Sequence, residues 1–309
     1  MTWMRFARRA ILACLLLPVC PLSGLTQELA NPADARGGAP AAAARADSLA
    51  SSNASRIVWE MPTVIVTGAR ISRLREEGRI GTYGQPRWTA HRRFTSTRVY
   101  VVPEGYFEFE YWATPVIDRS GLARTTVQYE CEMGLPHRIQ VDLYSVSEKQ
   151  GKAGHQSISE QKAEVRWALA NWGIIPANPT LYLEWIGVDS APDHLEGKVL
   201  LGGEAATGWH WGVNFVLEHE MGGAMENSNE LTAGVSHTLS DGVLAVGAET
   251  KLAFIDDWSH RGDYTHEFSS GPSIQWKPTR RAHLDIVPLF GWSDAAARAQ
   301  ITLVLGWEF

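Results

Sequence analysis

The chain ends in the decapeptide QITLVLGWEF, residues 300–309. Every second side chain of this stretch is large and apolar. That is the period of a β-strand, whereas a helix would scatter the same side chains around its circumference. The pattern predicts a strand over residues 297–308 next to an aromatic terminus. Its apolar face comprises Ile301, Leu303, Leu305, Trp307 and Phe309.

The same period of two continues upstream as far as residue 105. The runs at residues 106–112, 137–143 and 162–167 each place charged side chains on one face and apolar ones on the other. We therefore predict an all-β fold, a transmembrane antiparallel β-barrel of about twelve strands. The predicted strands are 105–116, 123–134, 137–148, 157–170, 178–187, 194–204, 207–219, 227–238, 242–254, 264–276, 281–291 and 297–308.

The period alone does not say whether the apolar rows face lipid or a soluble core, so a lipocalin-like barrel or a β-sandwich is the alternative. Two further patterns favour lipid. Short connections such as 135–136 and 240–242 alternate with longer ones such as 147–156 and 254–264, except at the inner link 171–177 and the short outer loop near 118–122. Tryptophans also cluster near strand ends, as at membrane interfaces. These tryptophans are Trp112, Trp167, Trp172, Trp185, Trp209, Trp276, Trp292 and Trp307.

The N-terminus has the order of a secretory signal, with arginines before the apolar run Ala10 to Val19, which is too short to span a membrane. We assign residues 1–24 to a cleaved signal peptide, 25–98 to a low-complexity leader and basic periplasmic segment, and 99–309 to an outer-membrane barrel. The predicted location is the bacterial outer membrane. Cys131 is the one cysteine of the mature chain, so we expect no internal disulfide.

Two features resemble known outer-membrane proteins. An aromatic residue at the end of an alternating last strand resembles the signal that such proteins present to the barrel-assembly machinery, and this assigns that role to Phe309. Residues 99–309 also resemble a family of small outer-membrane transporter barrels typified by a component of phenol-degradation pathways, through the patterns at 102–110 and 128–141. That resemblance implies a barrel that passes a hydrophobic or aromatic solute.

Several partners follow from these expectations. A barrel of this kind contacts outer-membrane lipids and the barrel-assembly machinery. The segment Thr63 to Arg70 resembles the stretch by which TonB-dependent receptors engage an energising periplasmic partner, although this chain is too short for that family's plug and larger barrel. A net charge of −6 argues against nucleic acid as a partner.

The charged row of the strands predicts the lining of the lumen. Gly212, Gly234 and Gly247 lie on the same row and indicate that something occupies this lumen. Acids outnumber bases, so we expect a water-filled lumen that favours cations, or counter-charges from elsewhere in the chain. The candidates are Glu108, Glu110, Glu130, Glu132, Arg138, Asp142, Lys162, Glu164, Arg166, Glu184, Lys198, Glu218, Glu249 and Lys251, with Glu196, Glu204, Glu230, Asp285 and Glu308 as further acids.

One source of counter-charge is the segment of residues 70–98, which carries eight arginines and two glutamates. Arginine pairs bidentately with carboxylates in partly dehydrated places. We predict that this segment docks in the lumen and relieves the repulsion among Glu108, Glu110, Glu130 and Glu132. The alternative is a solvated linker.

These patterns favour a passive channel or small-solute transporter for hydrophobic or cationic solutes. The alternatives are a structural barrel without transport and an outer-membrane lipid hydrolase in which His260 is the base for Ser259. Ser236 and His237 are neighbours on a strand and point to opposite faces. We therefore predict no catalytic residue, and no metal or cofactor.

Overall fold

The computed structural model describes residues 74–151 and 157–309. The expected signal peptide, the leader as far as residue 73 and the segment Thr63 to Arg70 lie outside the described residues. Two short strands come first, β1 (Arg79–Ile80) and β2 (Gln85–Pro86). The long strands are β3 (Phe107–Ile117), β4 (Ala123–Leu135), β5 (Ile139–Gln150), β6 (Ser157–Ala168), β7 (Thr180–Val188), β8 (His194–Ala206), β9 (Trp209–Glu220), β10 (Asn227–Ser240), β11 (Leu244–Asp256), β12 (Thr265–Trp276), β13 (Ala282–Gly291) and β14 (Ala299–Glu308).

The twelve long strands form one closed antiparallel barrel. Each strand pairs with its neighbours in the chain, and β14 pairs with β3 to complete the ring. The predicted all-β fold and the number of strands are thus confirmed, and every predicted strand end lies within two residues of the observed one. Closure leaves no free edge, which satisfies the backbone hydrogen-bonding groups of the first and last strands.

The connections lie at two rims of the barrel. The lower rim carries 136–138, 169–179, 207–208, 241–243 and 277–281, and the upper rim carries 118–122, 189–193, 221–226, 257–264 and 292–298. The predicted contrast in length fails at 169–179, which is the longest of these connections and belongs to the lower rim. Its Trp172 ring packs edge-on against Trp88, 5.7 Å away, and Tyr100, 5.2 Å away, so this connection is folded onto the N-terminal residues.

The outer face of the barrel is apolar. Its exposed side chains include Leu183, Val199, Phe215, Leu217, Leu231, Val235, Ile274 and Leu305. Exposed aromatic rings surround the lower rim, at Phe107, Trp167, Trp209, Trp276, Trp307 and Phe309. Two tryptophans expected at a membrane interface lie inside the barrel instead, because Trp112 shares the inward row of Glu108 and Glu110 and Trp172 packs on the N-terminal segment. No helix among residues 74–151 and 157–309 is long and apolar enough to cross a membrane.

The hydrophobic core lies inside the barrel and is built by residues 74–106, which we call the lumenal segment. It enters at the lower rim, where the hydroxyl of Tyr83 donates to the carbonyl of Leu135 over 2.8 Å. The core comprises Tyr83, Trp88, Phe94, Val99, Tyr100, Val101 and Ala168. The first barrel strand begins at Phe107, directly after this segment.

Glycines of the wall make room for the lumenal segment. A Cβ atom on Gly234 would lie 2.5 Å from Cδ1 of Phe94, and one on Gly202 would lie 2.3 Å from Cγ1 of Val99. Only a residue without a side chain fits where another backbone or ring approaches so closely. The glycines predicted that something occupies the lumen, and the lumenal segment does so at Gly234. At Gly247, by contrast, a Cβ would meet the wall itself, at the carbonyl oxygen of Val235.

Candidate functional site: the barrel lumen

The register of the strands places eight carboxylates directly opposite one another on neighbouring strands. We call this row the acid ladder. It climbs from the lower rim, where Glu308 ends β14, toward the upper rim, where Glu218 lies near the end of β9. Like charges directly opposite each other destabilise a sheet, so the row requires counter-charge. Its members are Glu308, Glu108, Glu132, Asp142, Glu164, Glu184, Glu196 and Glu218.

The wall supplies part of that counter-charge. Arg166 lies 2.9 Å from Asp142 and also pairs with Glu164. Further along the ladder, Lys198 lies 2.7 Å from Glu196. The imidazoles of two histidines contact two further rungs, with His194 at 2.8 Å from Glu218 and His283 at 2.8 Å from Glu108.

The lumenal segment supplies further counter-charge, at three buried carboxylates that we call the acid triad: Glu110, Glu130 and Glu132, of which Glu132 also belongs to the acid ladder. The Arg92 guanidinium donates to Glu110 through Nε and Nη2, at 3.0 and 2.6 Å, and through Nη2 to Glu130 at 3.0 Å. It also contacts Glu132. Arg98 donates to Glu130 at 3.0 Å and to Glu132 at 3.3 Å. These contacts are the docking that the charge pattern predicted.

An aromatic ring forms one side of the acid triad. The guanidinium carbon of Arg92 lies 4.4 Å from the centre of the Trp112 ring, within the range of a cation–π contact. The indole N–H of Trp112 in turn donates to Glu110 over 3.0 Å. The site therefore combines carboxylates with a π face, the two groups that proteins use to hold flat organic cations.

Backbone donors fix the segment at a second place. The buried carboxylate of Glu249 accepts hydrogen bonds from the N–H groups of Thr95, at 3.0 Å, and Ser96, at 2.8 Å. Two acids of the segment itself also dock. Glu77 accepts from the N–H of Gly208 over 2.6 Å, and Glu76 accepts from the hydroxyl of Thr238.

The entry of the segment is held at the lower rim by Asp241. Its carboxylate accepts from the N–H groups of Arg75, at 2.7 Å, and Glu76, at 3.1 Å. Partial burial raises the pKa of Asp241, but these donors outweigh burial and hold that pKa below its usual value. The contact is therefore strongest when Asp241 is ionised.

The predicted lumen residues lie on the inner wall, with one correction. Lys162, Lys198, Glu218 and Lys251 are partly buried. Arg138 lies in the lower-rim turn, where it donates to the carbonyl of Ala168 over 3.0 Å, because the strand begins only at Ile139. The buried members are Glu108, Glu110, Glu130, Glu132, Asp142, Glu164, Arg166, Glu184 and Glu249.

Sequence reasoning missed Glu76, His91, Trp112 and His283 as lumen residues. The alternation did contain a signal for two of them, because Trp112 continues the inward row of Glu110 and His283 that of Asp285. His91 pairs with Glu308 at the lower rim, and its ring nitrogen Nδ1 lies 2.9 Å from the Tyr106 hydroxyl. Nothing in the irregular segment could have placed His91 there.

A cavity of about 300 Å³ remains between the lumenal segment and the upper rim. Arg92, Arg98 and Trp112 contribute to its lining, together with Lys162 and Glu184 from the wall. This cavity adjoins the acid triad and reaches several rungs of the acid ladder. Its lining is mainly polar, and its volume is that of a small-molecule site.

The arrangement offers little for metal or hydrolytic chemistry. In the described residues, the groups that could hold a metal ion are His91, Glu108 and Glu308; Glu108, Glu110 and His283; and the acid triad. Lys277 or Arg92 already contacts a carboxylate in each group, Lys277 at Glu308 and Arg92 at Glu110 and in the acid triad. Ser259 and Asp257 both contact the same nitrogen of His260, Nδ1, at 3.1 and 3.2 Å. A catalytic triad uses the two opposite ring nitrogens, so this is the capping of a short turn.

No protein-family model and no curated protein matches the sequence. Among solved structures, an outer membrane channel from Pseudomonas putida F1 is similar over 68% of this chain and 98% of its own, at 8% identity and a TM-score of 0.48. The NanC porin is similar over 66% and 98%, at 10% identity and a TM-score of 0.46. The KdgM porin in complex with disordered oligogalacturonate is similar over 65% and 99%, at 8% identity and a TM-score of 0.46. At these values the likeness does not extend to function.

Proposed function

We propose that this chain is an outer-membrane channel for small hydrophilic solutes and that the lumenal segment closes it in this structure. The observation that carries the proposal is the division of side chains across one closed wall. Apolar side chains cover the outside, and charged ones line an inside with a cavity of about 300 Å³. In a soluble barrel the apolar row would be buried, because exposed apolar area of this extent is unfavourable in water.

The lining argues for the nature of the solute. Charged groups such as Lys162, Glu184 and Lys198 border the cavity. Moving a hydrophobic solute past them would strip water from charges without replacing their hydrogen bonds. The lining therefore favours a charged solute over the hydrophobic one that the family resemblance implies.

The proposal includes the location and the partners. The strand lengths and the girdle of aromatic residues at the lower rim suit a bilayer. Lipids then lie against the outer face, and the lower rim lies in the periplasm. Phe309 is exposed at that rim, where assembly machinery would reach it. We also propose that an energising partner binds Thr63 to Arg70 and withdraws the lumenal segment.

Membrane fractionation and planar-bilayer recording test the channel. We expect the mature protein to require detergent for extraction, and the variant lacking residues 74–101 to conduct more than the full chain. A Gly234→Leu variant is a second way to expel Phe94 if the deletion does not fold. Extraction without detergent contradicts membrane insertion. If both variants fold but neither conducts, the structural barrel without transport is favoured. The closed lumen of the full chain is the observation that supports this alternative.

A further inference from the structure

The guanidinium groups of Arg92 and Arg98 lie in the acid triad as a bound ligand lies in a preformed site. Glu110, Glu130 and Glu132 belong to β3 and β4, where ladder hydrogen bonds fix their backbone. Arg92 and Arg98 belong to the lumenal segment, which reaches the site without pairing as a strand of the barrel. The wall therefore builds the site, and a separate piece of the chain fills it.

The charges of the site remain uneven even when it is filled. Three carboxylates face two guanidinium groups, and all three carboxylates are buried. If the segment left, three acids would stand together without a counter-charge. Like charges held this close repel one another, so the open state favours the binding of a cation at this place.

The cavity gives such a cation access. Arg92, Arg98 and Trp112 line the cavity, so the floor of the cavity is the side of the filled acid triad that faces the upper rim. On the way from the upper rim lie Glu218, Glu196 and Glu184, the upper rungs of the acid ladder. These carboxylates pair with His194, Lys198 and Lys162, and a solute entering from this rim passes the three pairs before it reaches the face of Trp112.

We propose that the acid triad is a binding site for organic cations with a guanidinium group, and that Arg92 and Arg98 occupy it as an internal ligand. The proposal deepens the channel function and rests on it in one respect, since such cations are then the solutes. A flat guanidinium can form the same forked hydrogen bonds as Arg92 and lie on Trp112 in the same way.

Calorimetric binding of agmatine to the detergent-solubilised protein tests the site. Arg92→Gln combined with Arg98→Gln removes the internal ligand, and we expect agmatine to bind about tenfold tighter or better than to the full chain, since a competitor is gone. Arg79→Gln is the matched control, because Arg79 is an exposed arginine at the lower rim. Adding Glu130→Gln to the double variant should abolish the gain. Equal agmatine affinity in the double variant and the control overturns the proposal.

A measurement on the unaltered chain covers the case in which the double variant does not fold. Agmatine competing for the acid triad should speed chymotrypsin cleavage at Trp88 and Phe94, since it loosens the segment. Urea, a neutral planar molecule with the shape of the guanidinium group, and sodium chloride at the same ionic strength are the comparisons. If either accelerates cleavage as much as agmatine does, the site does not recognise guanidinium.

Bilayer recording separates the two proposals. Agmatine binding without conductance in any variant refutes the channel and supports the site. If the variant lacking residues 74–101 conducts and neither agmatine nor urea reduces its conductance, the site is refuted and the channel is supported.

Discussion

Phe94 is the hydrophobic anchor of the lumenal segment, and replacing it by alanine should free the segment while leaving the wall intact. The side chain is 1% exposed and is among the largest fully buried ones in the described residues. Truncating a buried phenylalanine costs about 3–5 kcal/mol. The wall does not depend on this ring for its backbone pairing, so the loss falls on docking. Each 1.4 kcal/mol is about tenfold, and the undocked fraction should rise by about a hundredfold or more.

Gly234 provides the coupled change. A Cβ on Gly234 would lie 2.5 Å from Cδ1 of Phe94, so Gly234→Ala overpacks the site and costs about 1–3 kcal/mol. In the Phe94→Ala background the same methyl group points into the space that the ring has left. We therefore expect the two changes together to cost about 1–2 kcal/mol less than the sum of the single changes.

Chymotrypsin cleavage at Trp88, a site that every variant keeps, measures the undocked population. When the segment redocks faster than it is cut, the cleavage rate follows that population. The control is Phe290→Ala, which removes a phenylalanine exposed on the barrel surface. Additive costs at Phe94 and Gly234, or cleavage of Phe94→Ala no faster than that of Phe290→Ala, would refute the packing argument.

Three further changes test the fold, the rim contact and the hydrolase alternative. Leu183→Lys places a charge on the exposed outer face in the middle of β7 and should destabilise the barrel in bilayers by about 2–4 kcal/mol, measured by urea unfolding; no loss would argue against lipid contact at this face. The pKa of Asp241 is depressed in the folded state, so its contact with Arg75 is present above the ordinary aspartate pKa of about 3.9 and is lost as pH falls below it. Segment cleavage by an acid-active protease should therefore rise on acidification, and Asp241→Asn should remove that part of the rise; an unchanged profile contradicts this. Ser259→Ala should leave any phospholipid or lipid A turnover unchanged, and a loss of turnover would instead support the hydrolase.

The barrel strands were predictable because their signal is local. Alternation is a property of consecutive residues, and the lipid-like outer face and polar lumen reinforce it in every strand. Closure between β14 and β3 was not local, and it followed only from the expectation that such strands leave no free edge. Trp112 shows the limit of this reasoning, since an aromatic side chain near a strand end indicates an interface unless its row faces inward.

The lumen was predictable in its charge but not in its geometry. An excess of acids beside a basic segment predicts docking, yet it does not say that Arg92 and Arg98 dock while Arg75 and Arg79 stay exposed at the rim. An irregular segment has no period from which to read direction. The acid ladder depends on the register of the strands, which is fixed by pairing between strands. A slip of one residue in that register would move a whole row of side chains to the other face.

The acid triad links the position of the segment to the ions in the lumen. Docking places two guanidinium groups among three buried carboxylates, and undocking exposes those carboxylates to whatever the lumen contains. A cation that binds the exposed triad stabilises the open state and must weaken docking by the same free energy, because coupling between two binding events is reciprocal. A neutral solute of equal size gains nothing from the triad and leaves the segment in place. The occupancy of the lumen by its own chain is thus a property that the external cation concentration controls.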